Sequence, residues 1–201
     1  MPGAYQPRGS CQVYSWRISI IALGESLLVT GTTFAGLTWT AISVLAFAVA
    51  FAGSVAMWWV YFDTGAERGS RSIASSTDPG RLARLAYTYL HVPIVAGIVV
   101  AAVADELVLA HPTGHTEPRV AAAVLGGPGL FLIGNLLFKG TIAGRLPLSH
   151  LVGLGLFALL TPTSTILSPL TLSAAATAVL IVVATWETLS LKSTRAKTIE
   201  A

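Results

Sequence analysis

An all-α, polytopic transmembrane helical bundle is the fold class this sequence predicts. Three observations carry that expectation: a shortage of charge, apolar blocks of bilayer-spanning length, and basic residues that fall between the blocks. Apolar types make up 54% of the 201 residues and charged types 10%, and the mean hydropathy is +0.73. A soluble domain carries roughly 25% charged residues, so this chain has too few to coat a water-facing surface. A bilayer core about 30 Å thick needs roughly 20 helical residues to cross, and lipid leaves only helices or closed barrels as spanning structures.

Six blocks meet that length requirement in chain order: Ile18–Thr33, Leu37–Phe62, Leu82–Leu109, Val120–Phe138, Pro147–Leu167 and Leu170–Ser190. The first is the shortest. The second closes on Trp58, Trp59 and Tyr61, aromatics of the kind that anchor a span at the membrane boundary, and Trp186 has the same place in the sixth. The third opens with an amphipathic turn carrying Arg81 and Arg84, just after the turn signal Asp78-Pro79-Gly80. Residues 1–17 are expected to form a disordered segment, 18–191 the membrane domain and 192–201 a basic cytoplasmic tail. Residues 1–15 lack the apolar run of a cleavable signal peptide.

Orientation comes from the enrichment of Lys and Arg in cytoplasmic loops. With both termini cytoplasmic, Arg8, Arg17, Arg68, Arg71, Arg81, Arg84, Lys139, Arg145, Lys192, Arg195 and Lys197 fall inside, and only Arg119 falls outside. Removing any internal span would put several of these charges on the wrong side. The net charge of +3 is therefore dispersed along membrane flanks, and no nucleic-acid partner is expected. Cys11 is the single cysteine, which excludes an intrachain disulfide and a cysteine-based zinc site.

Polar groups inside the spans are the candidate functional residues, because a carboxylate at mid-helix costs about 2.5–3.5 kcal/mol on insertion scales and normally faces protein or trapped water. Glu25 lies in the first span beside a hydroxyl stripe that includes Ser26 and Thr30. His91 lies in the third, two residues before Pro93, whose ring crowds the carbonyl of Tyr89 and predicts a kink. Helical spacing places Arg84, Thr88, His91 and Asp105 near one inward stripe. Glu25 is eight residues beyond Arg17, and His91 seven beyond Arg84; at about 1.5 Å per residue the two reach similar depths. They are expected to form an acid–imidazole pair able to exchange a proton, or else to be separate packing groups. Asn135 is read as a helix-to-helix hydrogen-bonding group. Asp63 and Glu187 lie near the inner boundary, close enough to snorkel to water.

The run Gly126-Gly127-Pro128-Gly129 falls mid-way along the fourth span. It is read as a close-packing surface, with a discontinuous helix as the alternative. Asp105, Glu106, His111, His115 and Glu117 gather around the outer end of the third span, but Pro112 and Gly114 break the one-face spacing that a metal site would need. Neither a metal nor a cofactor is expected.

Four segments in order, Ile21-Ala22-Leu23-Gly24-Glu25-Ser26, Met57 through Asp63, Tyr89-Leu90-His91-Val92-Pro93-Ile94 and Gly126-Gly127-Pro128, together resemble the bacterial low temperature requirement A family. The resemblance implies a multi-pass inner-membrane protein associated with growth in the cold. It maps the family's Glu, Trp-Trp, Tyr-Phe-Asp and His-x-Pro features onto Glu25, Trp58 and Trp59, Tyr61 to Asp63, and His91 with Pro93. Family members are longer, and they usually carry a His and an acidic–basic pair before the Gly-Glu-Ser segment; residues 10–17 here do not match that pattern. The chain is thus expected to correspond to a C-terminal half, from a shortened or frameshifted frame. Two functions stand open: ion- or proton-coupled permeation, or a non-transporting scaffold or stress-response component, inactive if truncated. An enzyme is not expected. The expected partners are the lipid bilayer and a second copy or a complementary half-protein.

Overall fold

The computed structural model describes residues 10–62, 81 and 84–199, and among them it is all helical. The helices are α1 (Ser10–Ala35), α2 (Ala41–Phe62), α3 (His91–Ala110), α4 (Pro118–Ala143), α5 (Leu148–Leu160) and α6 (Pro169–Ile199). A π turn, Leu85–Tyr89, precedes α3, and a 3-10 turn, Pro162–Thr165, comes after α5. Six of the segments so formed are long and apolar enough to cross a membrane.

Local chemistry fixes the ends. α1 runs on to Ala35 and stops at Gly36, whose N–H donates to the Thr32 and Thr33 carbonyls. α2 then starts four residues later than the apolar run does, because Thr40 caps it. The Ser43 N–H donates to Thr40 Oγ1 at 3.1 Å and the Thr40 N–H donates to Ser43 Oγ at 2.8 Å, a reciprocal box that uses up two orphan donors. Pro118 occupies the first turn of α4, where its missing N–H costs nothing, and Gly144 ends that helix in the left-handed region at φ 66°. Ser168 caps α6 through the Thr171 N–H.

One expectation about the termini is corrected, and the basic tail proves to be helical. Helix α1 begins at Ser10, so residues 10–17 continue the first span as helix and are not a disordered segment. Likewise α6 extends through the basic tail to Ile199. In both cases the stretch contains no glycine or proline after the helix has begun, so nothing interrupts propagation.

The bundle is organised around α3 and α4, which touch backbone to backbone. A Cβ placed on Gly127 would lie 2.6 Å from the amide nitrogen of Ala101, and one on Gly134 would lie 2.8 Å from that of Ile94. Gly97 meets Phe131 in the same way. Small residues allow this approach, which in lipid supplies the packing that water-driven burial cannot. By contrast a Cβ on Gly126 or Gly129 meets nothing within 4 Å. The Gly-Gly-Pro-Gly run therefore acts through one of its glycines, and α4 passes Pro128 unbroken. Helix α1 packs on α3 and α2, while α6 packs on α2, α4 and α5. The loops at one end are tied together: Thr116 Oγ1 donates to the Leu167 carbonyl at 2.6 Å and the Leu170 N–H donates to that of Pro112 at 3.1 Å.

Candidate functional site

Alternation of the helices brings the C-terminal ends of α2, α4 and span six to the end of the bundle where α3 and α5 begin. There a polar layer is assembled inside an otherwise apolar core. Lys139, three residues from the end of its span, sends its ammonium to both carboxylate oxygens of Glu187 at 2.8 Å and to the Val60 carbonyl at 2.8 Å. The two side chains are only 8% and 9% exposed. Glu187 is thus a buried ion-pair partner and does not snorkel, because Lys139 reaches it across the α4–α6 contact. The next residue on α6, Thr188, accepts through Oγ1 from Trp59 Nε1 at 3.2 Å, which draws α2 into the same layer.

His91 stands beside this pair. Its Nδ1–H donates to the Ala86 carbonyl at 2.9 Å, leaving Nε2 to accept from the Tyr61 hydroxyl, also at 2.9 Å. Both ring nitrogens are thereby occupied in the neutral imidazole. The ring also meets Phe138 edge-on at 4.9 Å and Tyr87 at 5.9 Å. Tyr87 Oη beside it, Asn135 Oδ1 on α4 one turn before Lys139, and His150 Nε2 on α5 are buried polar atoms with no hydrogen-bond partner among the described residues. The His150 Nδ1 contacts Ser149 Oγ at 3.2 Å. The layer thus holds one buried ion pair together with several buried polar atoms that lack a partner among the described residues.

Several expectations are corrected here. The predicted Glu25–His91 pair does not form. Helices α1 and α3 are neighbours, as the matched depths require, but Glu25 is exposed on α1 and both nitrogens of His91 are taken by Tyr61 and Ala86. Ser26 is buried with its hydroxyl unpartnered, and its carbonyl accepts from Thr30 Oγ1 at 2.8 Å. Asn135 does not bridge helices: its amide donates to the Phe131 carbonyl within α4 at 2.9 Å. The inward stripe of α3 also breaks. His91 is buried and Asp105 half-buried, but Arg84 and Thr88 are exposed. The reason is the π turn, closed by the Leu90 N–H to the Leu85 carbonyl at 3.1 Å. It inserts one residue and rotates the chain before His91 by about 100° relative to the rest of α3. It lies next to Pro93, which brings no N–H to the Tyr89 carbonyl. Asp63 lies outside the described residues. Glu117 lies just before the fourth span, and the Arg119 guanidinium, 2.6 Å away, holds its carboxyl below the usual carboxylate range.

Sequence reasoning missed Lys139, Glu187, Tyr61 and His150 as members of one site. A signal existed: Lys139 and Glu187 are opposite charges the same distance from the same end of two spans.

The model of the bacterial low temperature requirement A protein family matches residues 17–185 of this chain. The chain is 37% identical over 178 residues to the uncharacterized protein RA0937 of Rhizobium meliloti (strain 1021), an alignment that covers 88% of this chain and 43% of that relative. It therefore spans less than half the length of the relative it matches. No solved structure matches.

Proposed function

This chain belongs to the bacterial low temperature requirement A family, and from that premise we propose that it moves protons or a small cation across the bacterial inner membrane. The Lys139–Glu187 pair is the charge-exchange centre, and the Tyr61–His91 couple is its neighbour. The single observation behind this reading is that ion pair, 2.8 Å long and buried at one end of a membrane bundle. A buried pair is a poor stabiliser, since apolar residues of similar volume do as well or better. Ionisable residues retained within spans mark ion and proton paths. Protonation of Glu187 would release the Lys139 ammonium toward the free acceptors Asn135 Oδ1 and Tyr87 Oη, and loss of that proton would restore the pair. The activity is non-enzymatic and takes no cofactor. The basic residues orient both termini to the cytoplasm, and transport at this site would serve growth in the cold.

The test is reconstitution into liposomes enclosing a pH-sensitive dye. The intact chain should show a flux under an imposed gradient, and the double variant K139M/E187L should lose it. A double variant that folds and keeps the full flux refutes the reading.

A second reading, assembly, is favoured by one face of α1. Ile18, Ile21, Glu25, Leu28, Thr32 and Ala35 are exposed along a single stripe, and beside it a Cβ on Gly24 or Gly31 would meet nothing within 4 Å. A carboxylate left in lipid is costly, and open glycines invite a close neighbour. A second copy of the chain is the occupant this reading takes. Native mass spectrometry from nanodiscs should then give a dimer that Gly24→Leu disperses, and a monomer for the unaltered chain would dismiss it.

A further inference from the structure

Toward the opposite end of the bundle from the ion pair, α2, α3, α4 and α6 line a partly open cavity of about 20 Å³, room for one water-sized occupant. Its polar lining comes from Asp105 on α3 and from Ser173 and Thr177, one turn apart on α6. Hydroxyls in membrane helices usually donate back to the carbonyl four residues earlier. Thr30, Thr161 and Thr188 all do so here. Ser173 and Thr177 make no such bond, and Asp105 has no partner among the described residues. Ser173 is 7% exposed and lines the cavity. Pro128 lines the cavity together with Val124 and brings no N–H to the Val124 carbonyl. Gly53 completes the wall, and its lack of a side chain leaves space for Thr177, whose Oγ1 would stand 3.1 Å from a Cβ there.

These groups share one chemistry: a carboxylate and two hydroxyls, all oxygen. Hard oxygen donors suit alkali and alkaline-earth ions and give no purchase to soft transition metals. A single carboxylate balances one positive charge and would leave a divalent ion uncompensated in a low-dielectric interior. The size of the cavity admits a small dehydrated ion. We infer that Asp105, Ser173 and Thr177 form a binding site for one monovalent cation of sodium size. The site stands apart from the Lys139–Glu187 layer and does not rest on the transport reading.

The experiment measures binding, so it is independent of flux. The whole chain in nanodiscs is equilibrated with radioactive sodium at constant ionic strength, choline replacing sodium. One saturable sodium per chain is expected, displaced by unlabelled sodium and lithium but not by choline. Asp105→Asn should abolish saturable binding, and Thr177→Val should weaken it roughly tenfold, the loss expected for one contact to a charged group. Absence of saturable binding to the unaltered chain overturns the inference, as does undiminished binding in a folded Asp105→Asn. Should Asp105→Asn fail to fold, unchanged affinity in Thr177→Val together with Ser173→Ala overturns it equally.

Discussion

Replacing Lys139 by Met removes one partner of the buried pair and leaves the Glu187 carboxylate inside the bundle. At 2.8 Å and an effective dielectric of about 20, the direct Coulomb attraction is about 6 kcal/mol. Most of it is offset by the desolvation of two groups less than a tenth exposed, so the pair itself contributes little net stability. Breaking it is another matter. The carboxylate that loses its ammonium and the Val60 carbonyl that loses its donor together should cost about 3–5 kcal/mol. The double variant K139M/E187L removes both charges and keeps the volume, so it should return to within about 1–2 kcal/mol of the unaltered chain. The assay is reversible unfolding in mixed micelles monitored by helical circular dichroism. Two results would refute the reasoning: a Lys139→Met cost under about 1 kcal/mol, which means that Glu187 finds water, or a double variant no better than the single one, which means that the pair is not the relevant coupling.

Single contacts carry three more predictions. Gly127→Ala should destabilise by about 1–3 kcal/mol, since its Cβ meets the Ala101 backbone at 2.6 Å, whereas Gly126→Ala, one residue away with open space, should be close to neutral in the same unfolding titration. Tyr61→Phe removes the donor to His91 Nε2 and should cost about 1 kcal/mol; nitrogen NMR of the ring should show Nε2 shifting while Nδ1, held by Ala86, does not. Arg119→Gln should let the Glu117 carboxyl titrate upward toward its ordinary value, read by carbon NMR of the side chain, because the guanidinium that favours its charged form is gone.

The helices were legible because lipid imposes a length and a composition that the apolar blocks satisfy one by one. Their ends were less so. Thr38 to Ser43 is an apolar run only by average; the Thr40–Ser43 box that delays α2 is a matter of which hydroxyl meets which amide. The π turn hid the inward face of α3, since every inference that joined Arg84 to His91 assumed 3.6 residues per turn throughout. The site was harder still. Glu25 attracted attention because charge within a span is costly, but cost alone does not say which face a side chain takes. Lys139 and Glu187 looked like flanking residues when each span was read singly. They become a site only once α4 and α6 are known to touch, a contact that no span shows when read alone.

The two polar regions occupy opposite ends of the same helices. Helix α3 carries His91 and Asp105 fourteen positions apart, about 21 Å along the axis. Between them lie fully buried apolar side chains, Met57, Ile98, Phe131, Leu132 and Leu180, a layer that no ion crosses while the bundle keeps this packing. The proposed conduction would therefore require some helices to shift against others. The α3–α4 contact is backbone on backbone and cannot slide without clash, so the pair should move as one body, and the α2–α6 contact is the place for the change. Cysteines at Gly53 and Thr177 probe it, with Cys11 replaced by Ser. A Cβ at 53 stands 3.1 Å from Thr177 Oγ1, close to the reach of a disulfide. In liposomes the oxidised protein should lose its flux and regain it on reduction, each sample serving as its own control for the lost hydroxyl. Full flux in the cross-linked form would mean that α2 and α6 stay together, and the moving interface would have to be sought elsewhere.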